Sequence, residues 1–239
     1  VSVYRVSAVV TRSIRLGEAD RIVTLVSKEK GKIRAVVKGV RKTTSKWGGR
    51  LEPMAHLNLM CWQGRELDTI TQAEVVESHR RLREDLDLLG WASVILEAAD
   101  QVSQERVPAP RIYRMLVGAL RALEETRSPL TPGAFLWKLL LAEGWGMVAE
   151  QCVSCGCRDG LVALDFERGG TVCGRCRMGG EPLDGEALLL LQEILGGRLA
   201  KALSRPWSPA VERLNWLAQR ALEAHLERRL KSAAQLACG

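Results

Sequence analysis

Cys152-x-x-Cys155, seventeen intervening residues and Cys173-x-x-Cys176 are the residues whose types and spacing point most directly to a chemistry. A C-x-x-C turn presents two thiolates on one side of a tight knuckle. Two knuckles at this separation close a tetrahedron around zinc at about 2.3 Å per bond. Four thiolates leave no coordination position open, so the expected site is structural. It would hold one Zn2+ ion through Cys152, Cys155, Cys173 and Cys176, and staple a glycine-rich segment too small to pack unaided. The other chemistry open to these pairs is that of unliganded or redox thiols. Cys157 could compete with Cys155 as a ligand, although the two-residue spacer shared with the second knuckle favours Cys155. Cys61 and Cys238 stand alone, one in an expected strand and one in the tail. Seven cysteines, an odd number with four in C-x-x-C pairs, fit a reducing compartment better than a disulfide framework.

A second chemistry lies in the charge. The formal net charge is +7, and all of it falls in the first third. Residues 1–80 hold 15 Lys and Arg against 8 Asp and Glu, whereas residues 81–239 hold 20 of each. From Lys28 to Arg50 nine basic residues meet one acid, Glu29. A polyanion is the simplest partner for such a segment; a solvated, solubilising face is the plain alternative. Phosphates would be met by Lys32, Arg34, Lys38, Arg41, Lys42, Lys46 and Arg50. Lys32 and Arg34 share one strand face by the period of two. Among Tyr4, Trp47 and Trp62, Trp47 is the aromatic placed to stack on bases, because it sits inside the basic loop; Trp62 is expected in the core. So few aromatics imply binding through phosphates, with little sequence selectivity.

The elements that must position these groups follow from periodicity. Val3–Val10, Arg21–Val26, Lys32–Val37, Ala55–Trp62 and Leu67–Val76 read as five short strands separated by turn residues. Five strands in under 80 residues suggest a small barrel, which removes exposed sheet edges. From about Arg80 the period becomes helical, and six apolar stripes with short connections make a bundle. Thr131, Asp184 and Ser208 are expected N-caps. Gln151–Pro182 interrupts the bundle with a hairpin pattern, Leu161–Val172, turning at Gly169-Gly170. The division expected is a barrel over residues 1–78 and a helical domain over 79–239, with the cysteine insertion at 151–182.

Little else could react. His56, His79 and His225 are far apart in sequence and lack nucleophile motifs; packing or surface roles are expected for them. There is no Walker A loop, no GxGxxG, and no acidic pattern suited to a two-metal nuclease. A non-enzymatic protein is expected. No stretch approaches the roughly 18 apolar residues of a membrane span. Val1–Val10 lacks the layout of a secretory signal. A cytoplasmic, nucleoid-associated place without membrane partners is expected.

The run Gly17-Glu18-Ala19-Asp20-Arg21-Ile22-Val23-Thr24-Leu25, then Gly31-Lys32-Ile33-Arg34-Ala35-Val36-Val37-Lys38-Gly39-Val40-Arg41, closely resembles the start of the RecO family of bacterial recombination mediators. Leu51-Glu52-Pro53, Thr71–Glu77, Arg83–Leu86, Leu139-Leu140, Glu143-Gly144 and the cysteine knuckles continue the resemblance over nearly the whole chain. It implies an N-terminal OB-fold and a helical domain with a zinc-binding insertion. It also implies binding of single- and double-stranded DNA, annealing of complementary strands, and cooperation with RecR in loading RecA onto DNA coated by single-strand-binding protein, whose C-terminal tail docks on the helical domain. A protein-interaction adaptor for an acidic partner and an RNA-binding zinc protein are the alternative readings.

Overall fold

Alternation of apolar and polar residues carries the first part of the chain through β1 (Val3–Leu16), β2 (Asp20–Ser27), β3 (Gly31–Val37), β4 (His56–Trp62) and β5 (Asp68–Glu77). The computed structural model describes residues 2–41, 45, 47 and 49–232. These strands close into an OB-like barrel in the order β1-β2-β3-β5-β4. β1 is the long strand that makes closure possible. Val3–Val9 pairs with β4, Ala8–Leu16 pairs with β2, and the register shifts between Val10 and Arg12. Such a bulge bends the strand so that one element can serve both sides of a barrel. The parallel contact of Ala35 with Asp68 and Val36 with Thr69 completes the ring.

Every second residue points inward: Val6, Ala8 and Val10 on β1, Val23 and Leu25 on β2, Ile33, Ala35 and Val37 on β3, and Leu57, Leu59 and Cys61 on β4. The outward row of Val9 and Val26, paired with one another, is also fully buried. It lies on the side of β1 and β2 against which α2 packs.

The helices that follow are α1 (Arg80–Glu84), α2 (Leu86–Val102) and α3 (Pro110–Thr126). Asp85 separates the first two by accepting from the Asp87 and Leu88 N–H groups, so the stripe that begins at Leu86 continues unbroken to Val102. Gly31 lets the α2–α3 connection cross the end of β3. At φ +59° it sits so close that a Cβ would come within 1.8 Å of the Val107 carbonyl oxygen. α3 is tied to the barrel by a buried polar cluster, in which Tyr113 OH lies 2.6 Å from His56 Nε2 and 2.9 Å from Ser7 Oγ. His56 Nδ1 in turn contacts Glu77 at 3.2 Å, and burial pushes the His56 pKa down. These ties explain why the chain divides into compact units at Val1–Glu124 and Glu125–Gly239. The boundary of compactness thus falls well beyond residue 78, where the residue period changes.

The second unit contains α4 (Thr131–Ala142), β6 (Leu161–Asp165), β7 (Gly170–Cys173), β8 (Glu181–Pro182), α5 (Gly185–Leu195), α6 (Leu199–Leu203) and α7 (Pro209–Leu226). α4 and α7 approach closely because Gly133 has no side chain; a Cβ there would meet Asn215 Oδ1 at 2.1 Å. Asn215 uses that proximity, accepting from the Gly133 N–H at 3.1 Å and donating to the Pro129 carbonyl at 2.9 Å. Asp184 and Ser208 cap α5 and α7 through their side chains. Thr131 does not cap α4: it lies inside the helix, which starts from Leu130 without a side-chain cap. Glu193 on α5 is fully buried and answers two cations, Arg205 and Lys201, each at 2.9 Å. Those two contacts, Arg205 foremost, hold its carboxyl below the usual range. β6, β7 and β8 form a small sheet in the order β7-β6-β8, with the hairpin turning near Gly169-Gly170 as its sequence predicts.

Candidate nucleic-acid interface and metal centre

The outward face of β1, β2 and β3 is arranged in cross-strand rows, and α2 decides which of them are open. Val9, Val26 and Lys32 form the row beneath it. Lys32 is therefore captured: its ammonium lies 3.5 Å from Asp100 of α2, and the two side chains are only 19% and 13% exposed. Its backbone is also engaged, donating to the Gln104 carbonyl and accepting from the Arg106 N–H. The sequence expectation that Lys32 meets phosphate is corrected by this pairing. A cation already paired with a buried carboxylate has little charge left to offer a ligand.

Beyond α2 the face opens. Arg12, Thr24 and Arg34 form the next row, and Ile14, Ile22 and Val36 the one after. Arg34 is exposed, as are Arg15, Lys38, Arg41 and Arg50. Arg41 lies against the β1–β2 turn, its guanidinium donating to the Gly17 carbonyl at 3.1 Å and its N–H to that of Ala19 at 3.0 Å. The result is a strip that runs from Arg34, past an apolar patch at Ile14, Ile22 and Val36, to Lys38, with Arg41 against the β1–β2 turn; Arg15 is exposed too, but its register with Arg21 and Val37 puts it in the row of inward parity at the end of the strands. Lys42 and Lys46 lie outside the described residues. Sequence reasoning missed the apolar row. The period of two was the available signal, because it places Arg12, Ile14, Ile22 and Thr24 outside the barrel.

Trp47 does not join the strip. It is 3% exposed and packs in the barrel core with Leu51 and Ala55, while its indole N–H donates to the Lys38 carbonyl at 2.9 Å. The expectation that it stacks on bases is overturned: its ring faces are covered by protein. Trp62, expected in the core, is instead 54% exposed at the end of β4. Tyr4 is also committed, with its hydroxyl on Asp68 and the Lys30 ammonium 4.4 Å from its ring centre. Substituting Trp47→Leu is expected to cost about 2 kcal/mol of stability, from lost volume and an unanswered carbonyl. Single-stranded DNA affinity should stay within about twofold below the melting transition, since any stacking loss would be about 1–3 kcal/mol. Denaturant titration and fluorescence anisotropy on the same preparation check the two halves.

The cysteines gather as their spacing requires. The sulfur atoms of Cys152, Cys155, Cys157 and Cys173 all lie within 4.8 Å of one another. Cys155 and Cys173 are 3.8 Å apart, which equals the edge of about 3.8 Å for a tetrahedron with bonds of about 2.3 Å to zinc. The donor set fits a thiophilic ion. Cys152, Cys155 and Cys173 match the expected ligands, but the fourth sulfur in this mutually close set is Cys157 rather than Cys176. The local reason is the first knuckle. The Cys152 N–H donates to the Cys157 carbonyl at 2.7 Å and the Gly156 N–H to the Cys152 carbonyl at 2.8 Å, folding the chain back at Gly156, φ +75°. Backbone donors near Cys173 hold the Cys152 thiol down at about 6. Hydrogen bonding to Cys173 and Cys155 pushes Cys157 up to about 12, and hydrogen bonding to Cys155 and Cys173 does the same to Cys176. A thiol gives up its proton when a metal ion takes it as a ligand, so the cluster's protonation and metal binding are linked.

An OB-like barrel with an open basic strip, followed by a helical unit with an inserted thiol cluster, defines a class of two-part proteins in which charge and cysteines reside on different units. The chain matches the family model described as Recombination protein O N terminal over residues 1–79, and that described as Recombination protein O C terminal over residues 83–234. It is 39% identical over 235 residues to DNA repair protein RecO of Frankia casuarinae, covering 96% of each chain. The chain belongs to the RecO family of DNA repair proteins. No helix among the described residues is long and apolar enough to cross a membrane.

Proposed function

We propose that this protein is a recombination mediator that binds single- and double-stranded DNA along the open β1–β2–β3 strip and brings complementary strands together. The observation that carries this reading is the strip itself: Arg34, Lys38 and Arg41 are exposed on the barrel, within the residues 1–80 that hold the whole net charge, beyond the row that α2 covers. Two DNA strands repel. A cationic surface lowers that repulsion by releasing counterions, and contacts confined to phosphates leave base edges free to pair. No bond need be made or broken by the protein, so it acts without catalysis. Family membership supports the further roles: cooperation with RecR, delivery of RecA to DNA coated by single-strand-binding protein, and docking of that protein's tail on the helical domain. It supports a cytoplasmic place on the nucleoid as well. The thiol cluster holds one structural zinc ion, since four thiolates would leave it no open position for chemistry.

The test is annealing of two complementary labelled oligonucleotides by the full chain, with no nucleotide added. Pairing should be at least about tenfold faster than without protein and should slow as salt rises. Binding without acceleration would remove annealing from the proposal. A clear preference for RNA of the same sequence would replace it with the RNA-binding reading.

A further inference from the structure

We propose that Trp62 is a stacking platform for an unpaired DNA base, standing at the far end of an apolar row that continues the open strip around the barrel. The row is written in the strand register. Ile14 pairs with Ile22, and Ile22 with Val36. Val36 faces Thr69 across the parallel contact, Thr69 faces Trp62, and Trp62 faces Val3. The neighbours Val23, Ala35, Ile70 and Cys61 lie in the barrel core, so Ile22, Val36, Thr69 and Trp62 point outward. Staggered strands make such a row climb as it circles, so it starts near one end of β1 and finishes near the other. Ile14, Val3 and Trp62 are exposed, and Trp62 brings the row its aromatic ring.

The charge around this row points to a nucleic-acid strand as its occupant. Arg34 and Lys38 flank Val36 along β3, Arg5 is the next outward residue after Val3 on β1, and Arg65 follows Trp62 in the β4–β5 turn; all four are exposed. Glu66, the acid of that turn, lines a small recess with Lys30, Lys32 and Arg106. A recess of about 510 Å³ lined by Ser2, Gln63, Gly64 and Arg65 opens beside the Val3–Trp62 pair, within the size range of small-ligand sites. The turn is fixed by Asp68, 1% exposed, which accepts from the Gly64 N–H at 2.9 Å and from Arg106 at 3.0 Å. A platform already held in place loses little freedom when a base lands on it. Cations beside a ring suit a polymer of charged backbone and flat apolar bases. A duplex keeps its bases stacked inside and offers the ring nothing. Stacking engages the face of a base and leaves its pairing edge open, so this contact adds to those with phosphates without opposing annealing.

This inference rests on the DNA-binding reading above, and the experiment separates the two. Fluorescence anisotropy at several salt concentrations compares full-length wild type, Trp62→Ala and Trp62→Phe. The probes are a labelled oligothymidylate, an abasic strand of the same length, which keeps the phosphates and lacks the bases, and a duplex. Trp62→Ala should bind oligothymidylate roughly tenfold more weakly. Its salt slope should not change, because no phosphate contact is lost. Its affinity for the abasic strand and the duplex should stay within about twofold of wild type, since neither presents a free base face. Trp62→Phe keeps a ring and should come within about threefold of wild type on oligothymidylate. Equal weakening on all three probes would mark a structural role and overturn the proposal. Oligothymidylate affinity unchanged in Trp62→Ala, beside normal salt-dependent binding by the wild type, overturns this inference alone and leaves the row to a protein partner. Wild-type protein that retains no DNA overturns the DNA-binding reading and this inference together.

Discussion

Raising salt from 50 to 200 mM is expected to weaken binding of single-stranded DNA by about 300-fold, if six cations contact phosphates and each contributes a slope of about −0.7. The six are Arg34, Lys38, Arg41, Lys42, Lys46 and Arg50; Lys32 is omitted because Asp100 neutralises it. The combined replacement Arg34→Ala, Lys38→Ala, Arg41→Ala should bring the slope of log K against log salt from about −4 to about −2. It should lower affinity on the order of 100-fold at 0.1 M salt. All sequences should suffer alike, since phosphates carry no sequence information. Lys32→Ala provides the contrast. It should leave the salt slope unchanged and cost stability, because Asp100 is left partly buried with Arg12 alone, at 3.3 Å. Anisotropy titrations at four salt concentrations measure every one of these quantities. A flat salt response in the wild type would remove the strip from the proposed function.

The other large effect concerns the cysteines. Chelation of the reduced protein, or Cys173→Ser, should unfold the β6–β7–β8 sheet while leaving the barrel intact. Structural zinc contributes on the order of 10 kcal/mol to small domains that cannot otherwise fold. This segment has few apolar residues of its own: its core consists of Cys152, Leu161, Ala163, Val172 and Cys173. Two of those five buried residues are thus proposed metal ligands, so removing the ion strips charge compensation from the middle of the core. Hydrogen exchange should show protection lost across residues 148–182 and kept in β1–β5. DNA affinity should change by less than about threefold, since the contacts that set it are phosphate contacts on the other unit. Freshly purified, reduced protein that yields less than about half an equivalent of zinc would count against the ligand assignment. Unchanged exchange after complete chelation would show that the segment holds itself together.

The barrel was legible in the residues because inward and outward positions alternate, and each strand carries that alternation locally. β1 nevertheless runs six residues past Val10, since its continuation is stabilised by pairing with β2 and not by its own composition. The expected six helices became seven among the described residues. Asp85 divides the first stripe, but its remainder, Leu86 and Leu89, joins the second stripe in α2, so the added helix is α6, too short to leave a period. The cysteine spacing located the thiol cluster but placed Cys176, not Cys157, in the tightest set, because sequence spacing does not encode how Gly156 folds the first knuckle back.

Composition and order alone determined where the charge lies, that a small β unit precedes a helical one, and that a thiol cluster interrupts the helices. These properties are local: a cation excess, a period of two or of 3.6, and a C-x-x-C turn need no distant partner to be read. Which cations remain open to a polyanion, which tryptophan is buried, and where the compact units divide were decided by tertiary structure. Lys32 and Arg34 are two residues apart on the same strand face, yet α2 brings Asp100 to one and leaves the other in solvent. That distinction rests on an aspartate almost seventy positions away in the chain, and burial is a property of the pair once brought together, not of either residue.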